Sequence, residues 1–264
     1  MLPVYIGPWS LQYLGSAIVS LSIAIHVLIK NKTSLLHALF FLFGLITSLR
    51  LFTGFFNMII LDSEIALKLF RLGNSLYFVS IALLLIFVRM LAGKKEGWLL
   101  FIPPMLIVTI SGFIPYTVEW TDQGWKFVAG ISIESALTAI YLFSYCILII
   151  YELYQLRKNA KVRWLRIKYG FMLWSIIILQ LFGVILFNAL LLVWKDIPRI
   201  AGILYFLSFL AIWYGFQIQP PKEVVLTRMG NPLTDSYRKF LNKLIDVAPP
   251  DELGLKTMDL LEYL

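Results

Sequence analysis

Seven apolar stretches, each long enough to cross a lipid bilayer, occupy most of this chain of 264 residues. A bilayer core about 30 Å thick requires about 20 consecutive apolar residues in a helix. The stretches lie at residues 10–29, 35–60, 66–91, 97–115, 127–151, 168–193 and 198–218. A transmembrane β-barrel would alternate polar and apolar residues, whereas the run from Ile81 to Val88 has no polar side chain. The sequence therefore predicts an all-α integral membrane protein, a bundle of seven transmembrane helices.

The composition agrees with this fold class. Apolar residues make up 60% of the chain and charged residues only 14%, against about 25% charged in a typical soluble domain. The seven stretches leave no room for a large soluble domain. We divide the chain into a transmembrane domain at residues 1–219 and a polar tail at residues 220–264.

Lysine and arginine residues fall mainly on alternate connections between the predicted helices. The first, third and fifth connections carry eleven of them, and the second, fourth and sixth carry four. Because cytoplasmic loops are enriched in Lys and Arg, we predict an N-terminus outside the cell and a cytoplasmic C-terminus. The net charge of +8 is largely this bias, which argues against nucleic-acid binding.

Two further features indicate the compartment. No Lys or Arg precedes Lys30, so the charged front end of a signal peptide is missing, and the first stretch is predicted to remain as an uncleaved helix. Cys146 is the only cysteine, which excludes an intramolecular disulfide and a cysteine metal cage. We expect a multi-pass protein of a prokaryotic plasma membrane.

Three charged residues lie at a similar depth within the predicted helices. Arg50 is about 15 residues into the outward-running second helix, about 23 Å from the inner face at 1.5 Å per residue. Arg71 and Glu134 lie early in the inward-running third and fifth helices, so all three are predicted in the outer third of the bilayer. A charged side chain in hydrocarbon costs at least about 2.5–3.5 kcal/mol, so these residues are expected to face the bundle interior.

Polar residues on other helices extend this level into a candidate ligand site. The predicted ligand-binding residues are Arg50, Asn57, Arg71, Asn74, Glu134, Tyr141, Gln180, Asn188 and Tyr205. In one interpretation, Glu134 pairs with an arginine and simply locks helices together. In the other, the excess of arginine forms an outward-facing pocket for a small anionic or amphipathic molecule, since the guanidinium fork suits a carboxylate or phosphate.

Several chemistries lack the residues that they require. The predicted last helix has no lysine for a retinal Schiff base, and no helix core contains aspartate for a paired-aspartate protease. His26 and His37 lie near the cytoplasmic surface, where we interpret them as interfacial residues rather than haem or metal ligands. Metalloprotease and phosphate-loop motifs are absent. We predict no enzymatic activity, no cofactor and no metal.

The tail after Gln219 is polar and punctuated by prolines. Between the prolines, apolar residues recur at helical spacing on one face of a short amphipathic helix. This helix is predicted either to lie on the membrane or to dock a cytoplasmic signalling protein or a second copy of the chain. The predicted contact residues are Phe240, Leu241, Leu244 and Ile245.

The layout permits a family comparison. The outward N-terminus, the seven helices, the segment from Lys68 to Ser80 (KLFRLGNSLYFVS) and the basic connection from Arg157 to Lys168 resemble the seven-transmembrane N-terminal sensor region of prokaryotic histidine kinases. The resemblance implies an extracytoplasmic sensor that passes a signal through its last helix. No kinase segment follows the seventh helix, so signalling would require a separate partner.

Three functions follow from these patterns. The first is a membrane receptor or sensor that binds a small anionic or lipid-like ligand from outside and signals through a cytoplasmic partner. The second is a non-catalytic subunit of a larger membrane complex, with the tail as its docking element. The third is a transporter or lipid-handling protein.

Overall fold

The computed structural model describes residues 6–30, 34–94, 97–121, 124–130, 132–177 and 201–217. Its helices are α1 (Pro8–Lys30), α2 (Leu35–Ile59), α3 (Ser63–Leu91), α4 (Ile102–Ser111), α5 (Ile133–Asn159), α6 (Arg163–Ile177) and α7 (Ala201–Gln217). A 3-10 turn (Trp98–Phe101) precedes α4, and two strands, β1 (Tyr116–Thr121) and β2 (Gly124–Ala129), precede α5.

Four of these helices are long and apolar enough to cross a membrane. They are α1 from Ser10, α2, α3 and α5, with 21, 25, 29 and 27 residues. The coarser part of the prediction, a mostly helical chain with helices long and apolar enough to cross a membrane, is confirmed. The predicted sixth helix lies largely outside the described residues, as does the tail.

The predicted fourth span at residues 97–115 is too long. The 3-10 turn and α4 together end at Ser111, and Pro103 and Pro104 lie in the first turn of α4, where a missing amide donor is tolerated. The apolar stretch is therefore divided between a turn, a short helix of 10 residues and the chain that leads to β1.

A β-hairpin replaces part of the predicted connection between the fourth and fifth helices, so the chain is not all-α. Strands β1 and β2 pair antiparallel, with Glu119 opposite Lys126 and Trp120 opposite Trp125. The β-branched and aromatic residues of this segment favour strands. Gly124 has a φ of +95°, a conformation that glycine adopts without steric cost. The fifth helix consequently begins at Ile133 rather than at the predicted residue 127.

Helix α3 lies at the centre of the bundle. It packs against α2, α4 and α5. Helix α6 packs against α5 and α7, and α7 packs against α1. Every residue from Ile81 to Val88 is buried, as expected for a helix that is apolar on all faces. Aromatic side chains fill the space between α2 and α7, where the Phe40 and Phe216 rings stack at 5.3 Å.

Helices α1, α2 and α7 meet at a glycine. A β-carbon on Gly44 would lie 2.6 Å from Cβ of Ala24 and 3.0 Å from the Phe209 ring. Small residues allow such close approach between helices in membranes. Gly44 therefore allows α1 to lie close to α2 and leaves room at the same point for the Phe209 ring of α7.

Candidate ligand-binding site

A small cavity lies between α2, α3 and α7, in the part of the chain that the structure describes. Its polar wall is formed by Thr47 and Arg50 of α2, Tyr77 and Ser80 of α3, and Ser208 of α7. Since Arg50 precedes the end of α2 by nine residues, it lies about 14 Å along the helix axis from that end at 1.5 Å per residue. The cavity is thus well inside the bundle.

The Arg50 side chain is held against an aromatic ring. Its guanidinium carbon lies 4.1 Å from the centroid of the Tyr77 ring, and Tyr77 is buried while Arg50 is half-buried. The ring quadrupole attracts a cation over its face, by about 0.5–2 kcal/mol depending on desolvation. This contact orients the guanidinium between α2 and α3.

Three hydroxyl groups surround the same space. Ser80 Oγ donates to the Tyr77 carbonyl at 2.8 Å and Ser208 Oγ donates to the Ser175 carbonyl at 2.7 Å. Each hydroxyl that donates retains lone pairs as acceptors. Thr47 is buried, and its Oγ1 has no hydrogen-bond partner among the described residues.

The opposite wall of the cavity is apolar. It consists of Phe43, Ile81, Leu84, Phe209 and Ile212. The space between the walls amounts to about 360 Å³, part of it continuous with the surroundings, and without movement of the walls it admits about one water-sized molecule. The site is therefore amphipathic and narrow.

The predicted charged cluster is divided in the structure, because Arg71 and Asn74 belong to a second group. Arg71 Nη2 donates to the Ile114 carbonyl at 3.4 Å, and Asn74 Nδ2 donates to Tyr116 Oη at 3.5 Å. Burial raises the pKa of Tyr116, which the hydrogen bond from Asn74 and the charge of Arg71 partly oppose. These contacts attach the hairpin and the end of α4 to α3.

The hairpin is fastened to the helices at two further points. The Phe70 ring of α3 stacks on Phe127 of β2 with centroids 4.3 Å apart. Trp125 Nε1 donates to the Ile60 carbonyl at 2.7 Å. The last carbonyl groups of a helix have no partner within the helix, so this hydrogen bond satisfies one of them at the end of α2. The hairpin thus covers the C-terminal end of α2 and the N-terminal part of α3.

Glu134 is not brought to either arginine. It lies half-buried in the first turn of α5, where its carboxylate interacts with its own backbone amide and with Ser132. A carboxylate at a helix N-terminus is favoured by the unpaired amides there. Glu134 forms no ion pair with Arg50 or Arg71, so the interpretation that such a pair locks the helices together does not hold.

The remaining predicted site residues have different positions. Asn57 is half-buried near the end of α2, and its Oδ1 has no hydrogen-bond partner among the described residues. Tyr141 donates to the Phe78 carbonyl at 2.8 Å and is not part of the cavity wall. Tyr205 belongs to α7, three residues before Ser208. Gln180 and Asn188 lie outside the described residues, as do Phe240, Leu241, Leu244 and Ile245.

Sequence reasoning missed Tyr77 and Ser80 as cavity residues. Tyr77 and Ser80 lie on the same face of α3 as Ile81 and Leu84, since each of the four residues is three or four positions from two of the others. A signal was present, because Tyr77 and Ser80 are polar residues directly before a long apolar run. The missing information was that this face of α3 meets the arginine of α2.

A second set of polar contacts lies at the opposite ends of the helices. Lys94 Nζ, after α3, donates to both carboxylate oxygens of Glu152 at 2.7 and 2.8 Å, and Glu152 is only 6% exposed. Lys30 Nζ donates to Gln217 Oε1 at 2.7 Å. The buried Lys168 donates to the Phe216 carbonyl at 3.4 Å. These cations tie α3 to α5 and hold the last turn of α7.

No protein-family model matches this sequence, and no curated protein matches it significantly. The fold therefore defines only a broad class, that of helical proteins with candidate membrane spans. The chain is mostly helical, and four of the helices in its described part have the length and composition of membrane spans.

Proposed function

We propose that this chain is a non-catalytic membrane receptor or sensor that binds a small anionic or amphipathic ligand beside Arg50 and signals through a cytoplasmic partner. The observation that supports this proposal is the cavity between α2, α3 and α7, which is lined by an arginine over the Tyr77 ring, by hydroxyl groups and by an apolar wall. Intramembrane ionisable residues are costly and commonly mark binding sites.

The position of α7 supports a signalling role. Ser208, Phe209 and Ile212 of this helix line the cavity, and Phe216 and Gln217 at its end accept hydrogen bonds from Lys168 and Lys30. A ligand shifts a conformational equilibrium only through its different affinity for two states. A ligand between α2, α3 and α7 contacts the helix that leads into the tail.

The number of membrane spans and their orientation are part of the same proposal. Seven spans in a plasma membrane, with the N-terminus outside, would place the hairpin outside and the basic connection between α5 and α6 in the cytoplasm. Large apolar side chains exposed along α5, including Ile133, Ile140 and Ile147, fit contact with lipid. The resemblance to the sensor region of histidine kinases is consistent with this arrangement, with the partner supplied as a separate protein.

The decisive experiment compares two arginine variants. The full chain, purified in lipid nanodiscs, is analysed by native mass spectrometry as wild type, Arg50→Gln and Arg71→Gln. A bound small molecule that is lost only from Arg50→Gln supports the receptor. An identical pattern in all three proteins overturns the pocket.

The same preparation separates the alternative functions. A stoichiometric protein that co-purifies with the chain in the absence of any bound small molecule would favour a non-catalytic subunit of a larger complex, docked through the tail. Accumulation of the bound molecule inside proteoliposomes would favour a transporter or lipid-handling protein. Under the receptor proposal, deletion of residues 233–264 removes the partner, which contacts Phe240 and its neighbours, and leaves the small molecule bound.

A further inference from the structure

We infer that the junction of α5 and α6 binds one anionic phospholipid, with its phosphate at Arg157, Arg163 and Arg166 and an acyl chain along the exposed side of α6. This site is separate from the cavity beside Arg50, and it depends neither on the ligand of that cavity nor on a cytoplasmic partner. It requires only that α5 and α6 lie in a bilayer. Three arginines, a glycine and a stripe of exposed apolar side chains carry the inference.

The sequence around the junction carries only positive charge. The chain has no Asp or Glu from Leu153 to Lys195, and both carboxylate oxygens of the preceding Glu152 accept hydrogen bonds from Lys94. Arg163 and Arg166 lie in the first turn of α6, where the helix dipole disfavours cations. An anion bound at this end of α6 would offset both the dipole and the arginine charges.

A glycine brings the third arginine to the same side of α6. A β-carbon on Gly170 would lie 3.7 Å from Nε of Arg157 and 3.9 Å from its guanidinium carbon, so this side chain of α5 lies over Gly170. Arg163 and Arg166 precede Gly170 by seven and four residues, which places these three residues on one face of α6. Guanidinium groups from two helices therefore lie on the same side of α6.

The guanidinium donors at the junction can reach a ligand. Arg157 and Arg163 form no hydrogen bond or ion pair with another described residue, and Arg163 is exposed. Arg166 uses Nη2 to donate to the Ala160 carbonyl at 3.2 Å, and the guanidinium group has further N–H donors. Because the planar fork of an arginine matches the oxygens of a phosphate, this arrangement suits a phospholipid headgroup.

The exposed apolar side chains on this face favour a lipid over a soluble anion. Ile167, Phe171 and Trp174 are exposed, and they follow Arg163 by four, eight and eleven residues along one helical face. Trp174 is about 16 Å from Arg163 along the axis at 1.5 Å per residue, close to the depth of about 15 Å of one leaflet. The Tyr214 ring of α7 meets Phe171 edge-on at 5.2 Å and widens this surface. An acidic protein or a free phosphate would leave the apolar stripe unused.

The test titrates the full chain, in a neutral detergent, with lipids that differ in headgroup and chain length. Native mass spectrometry measures binding of dioleoyl phosphatidylglycerol, dioleoyl phosphatidylcholine and dihexanoyl phosphatidylglycerol, with inorganic phosphate as a competitor. We expect one saturable molecule of dioleoyl phosphatidylglycerol, weaker binding of the other two lipids and no displacement by phosphate. Equal binding of phosphatidylcholine would overturn recognition of the negative charge. Equal binding of the dihexanoyl lipid, or displacement by phosphate, would overturn the role of the apolar stripe.

Charge variants locate the lipid. Arg157→Gln and Arg163→Gln should each weaken binding of dioleoyl phosphatidylglycerol about fivefold, the contribution of one cation beside an anionic headgroup. Lys158→Gln removes the same charge next to Arg157 in the chain, but on a different side of α5, and is the matched control that should bind as wild type. Equal weakening in all three variants would show a response to total charge alone and would rule out a defined site.

A fourth variant tests the position of Arg157 without a change of charge. Gly170→Leu places a side chain where the guanidinium lies, so it should weaken lipid binding while thermal unfolding shows that the protein is folded. Wild-type binding in a folded Gly170→Leu protein would contradict the inference. If this variant does not fold, the comparison of Arg157→Gln with Lys158→Gln decides.

The lipid site and the proposed receptor fail independently. Arg50→Gln should bind dioleoyl phosphatidylglycerol as wild type, whatever happens to a small molecule in the cavity. If Arg50→Gln weakens the lipid as much as Arg163→Gln does, the lipid is not held at the junction and the inference is wrong. If no small molecule depends on Arg50 but the lipid depends on Arg157 and Arg163, the receptor is wrong and the lipid site stands.

Discussion

The guanidinium of Arg50 in α2 lies 4.1 Å from the centre of the Tyr77 ring in α3. This contact joins two consecutive helices at the polar side of a cavity that α7 closes. Arg71 instead interacts with the Ile114 carbonyl, in the chain that follows α4. One arginine therefore belongs to an internal site and the other to the attachment of the hairpin.

The aromatic ring at residue 77 should matter more than its hydroxyl. Tyr77→Leu should lower the free energy of unfolding by about 0.5–2 kcal/mol for the lost cation–π contact, in addition to the loss of buried aromatic area. Tyr77→Phe keeps the ring and serves as the control. Chemical denaturation in detergent measures both, and equal losses in the two variants would show that the contact contributes nothing.

Two of the ion pairs, Lys94 with Glu152 and Lys68 with Glu64, should differ in strength. Lys94→Met leaves the nearly buried Glu152 carboxylate without its donor and should cost about 1–3 kcal/mol, the penalty for an unsatisfied buried group. Lys68→Met removes a pair whose side chains are 72% and 78% exposed, for which about 0–1 kcal/mol is expected. Thermal unfolding of the two variants compares them directly.

The indole of Trp125 should stabilise the junction of hairpin and α2. Trp125→Phe removes the hydrogen bond to the Ile60 carbonyl and should cost about 0.5–1.5 kcal/mol. Hydrogen exchange of the hairpin amides should accelerate in this variant because the hairpin opens more readily. Trp120→Phe, whose side chain is more exposed, is the control. Unchanged exchange in Trp125→Phe would contradict this role.

Tyr116 should make stability depend on alkaline pH. Its pKa is raised above the ordinary value of 10.0, so the folded state favours the neutral phenol. Its contribution is fully present below that ordinary value and is lost as the pH rises through the folded-state pKa. Tyr116→Phe should therefore lose less stability than wild type above pH about 10. Denaturation at a series of pH values in both proteins measures the difference.

Arg71 should influence the same titration. Because the positive charge of Arg71 opposes the rise in the pKa of Tyr116, Arg71→Gln should raise that pKa further. The difference in phenolate absorbance between each protein and its Tyr116→Phe counterpart isolates the titration of this residue. A lowered pKa in Arg71→Gln would contradict the assigned contact.

Sequence patterns predicted secondary structure best where a local property determines it. Hydropathy placed α1, α2 and α3 within three residues of their observed ends, because the apolar length of a helix is a property of its own side chains. It placed α5 six residues too early at its start and eight too early at its end. The same measure failed at α4 and the hairpin, where prolines, β-branched residues and Gly124 changed the backbone without changing the hydropathy.

The predicted site was only partly assembled by the structure. Counting residues along each helix placed Arg50, Arg71 and Glu134 at one depth, and that count carries no information about the direction in which each side chain points. Glu134 lies in the first turn of α5 beside Ser132, and Tyr141 is engaged by the Phe78 carbonyl. Thr47 and Ser208 line the cavity together with Tyr77, but none of the three is among the predicted ligand-binding residues.

The sequence alone predicted that this chain has helices suited to a lipid bilayer, because apolar length and charge content are properties of each segment by itself. Which polar side chains meet was decided only by the tertiary structure. The rotation of each helix about its own axis arises from packing among residues distant in the chain, such as Gly44 against Ala24 and Phe209. No local pattern encodes those rotations, because each depends on the shape of the neighbouring helix.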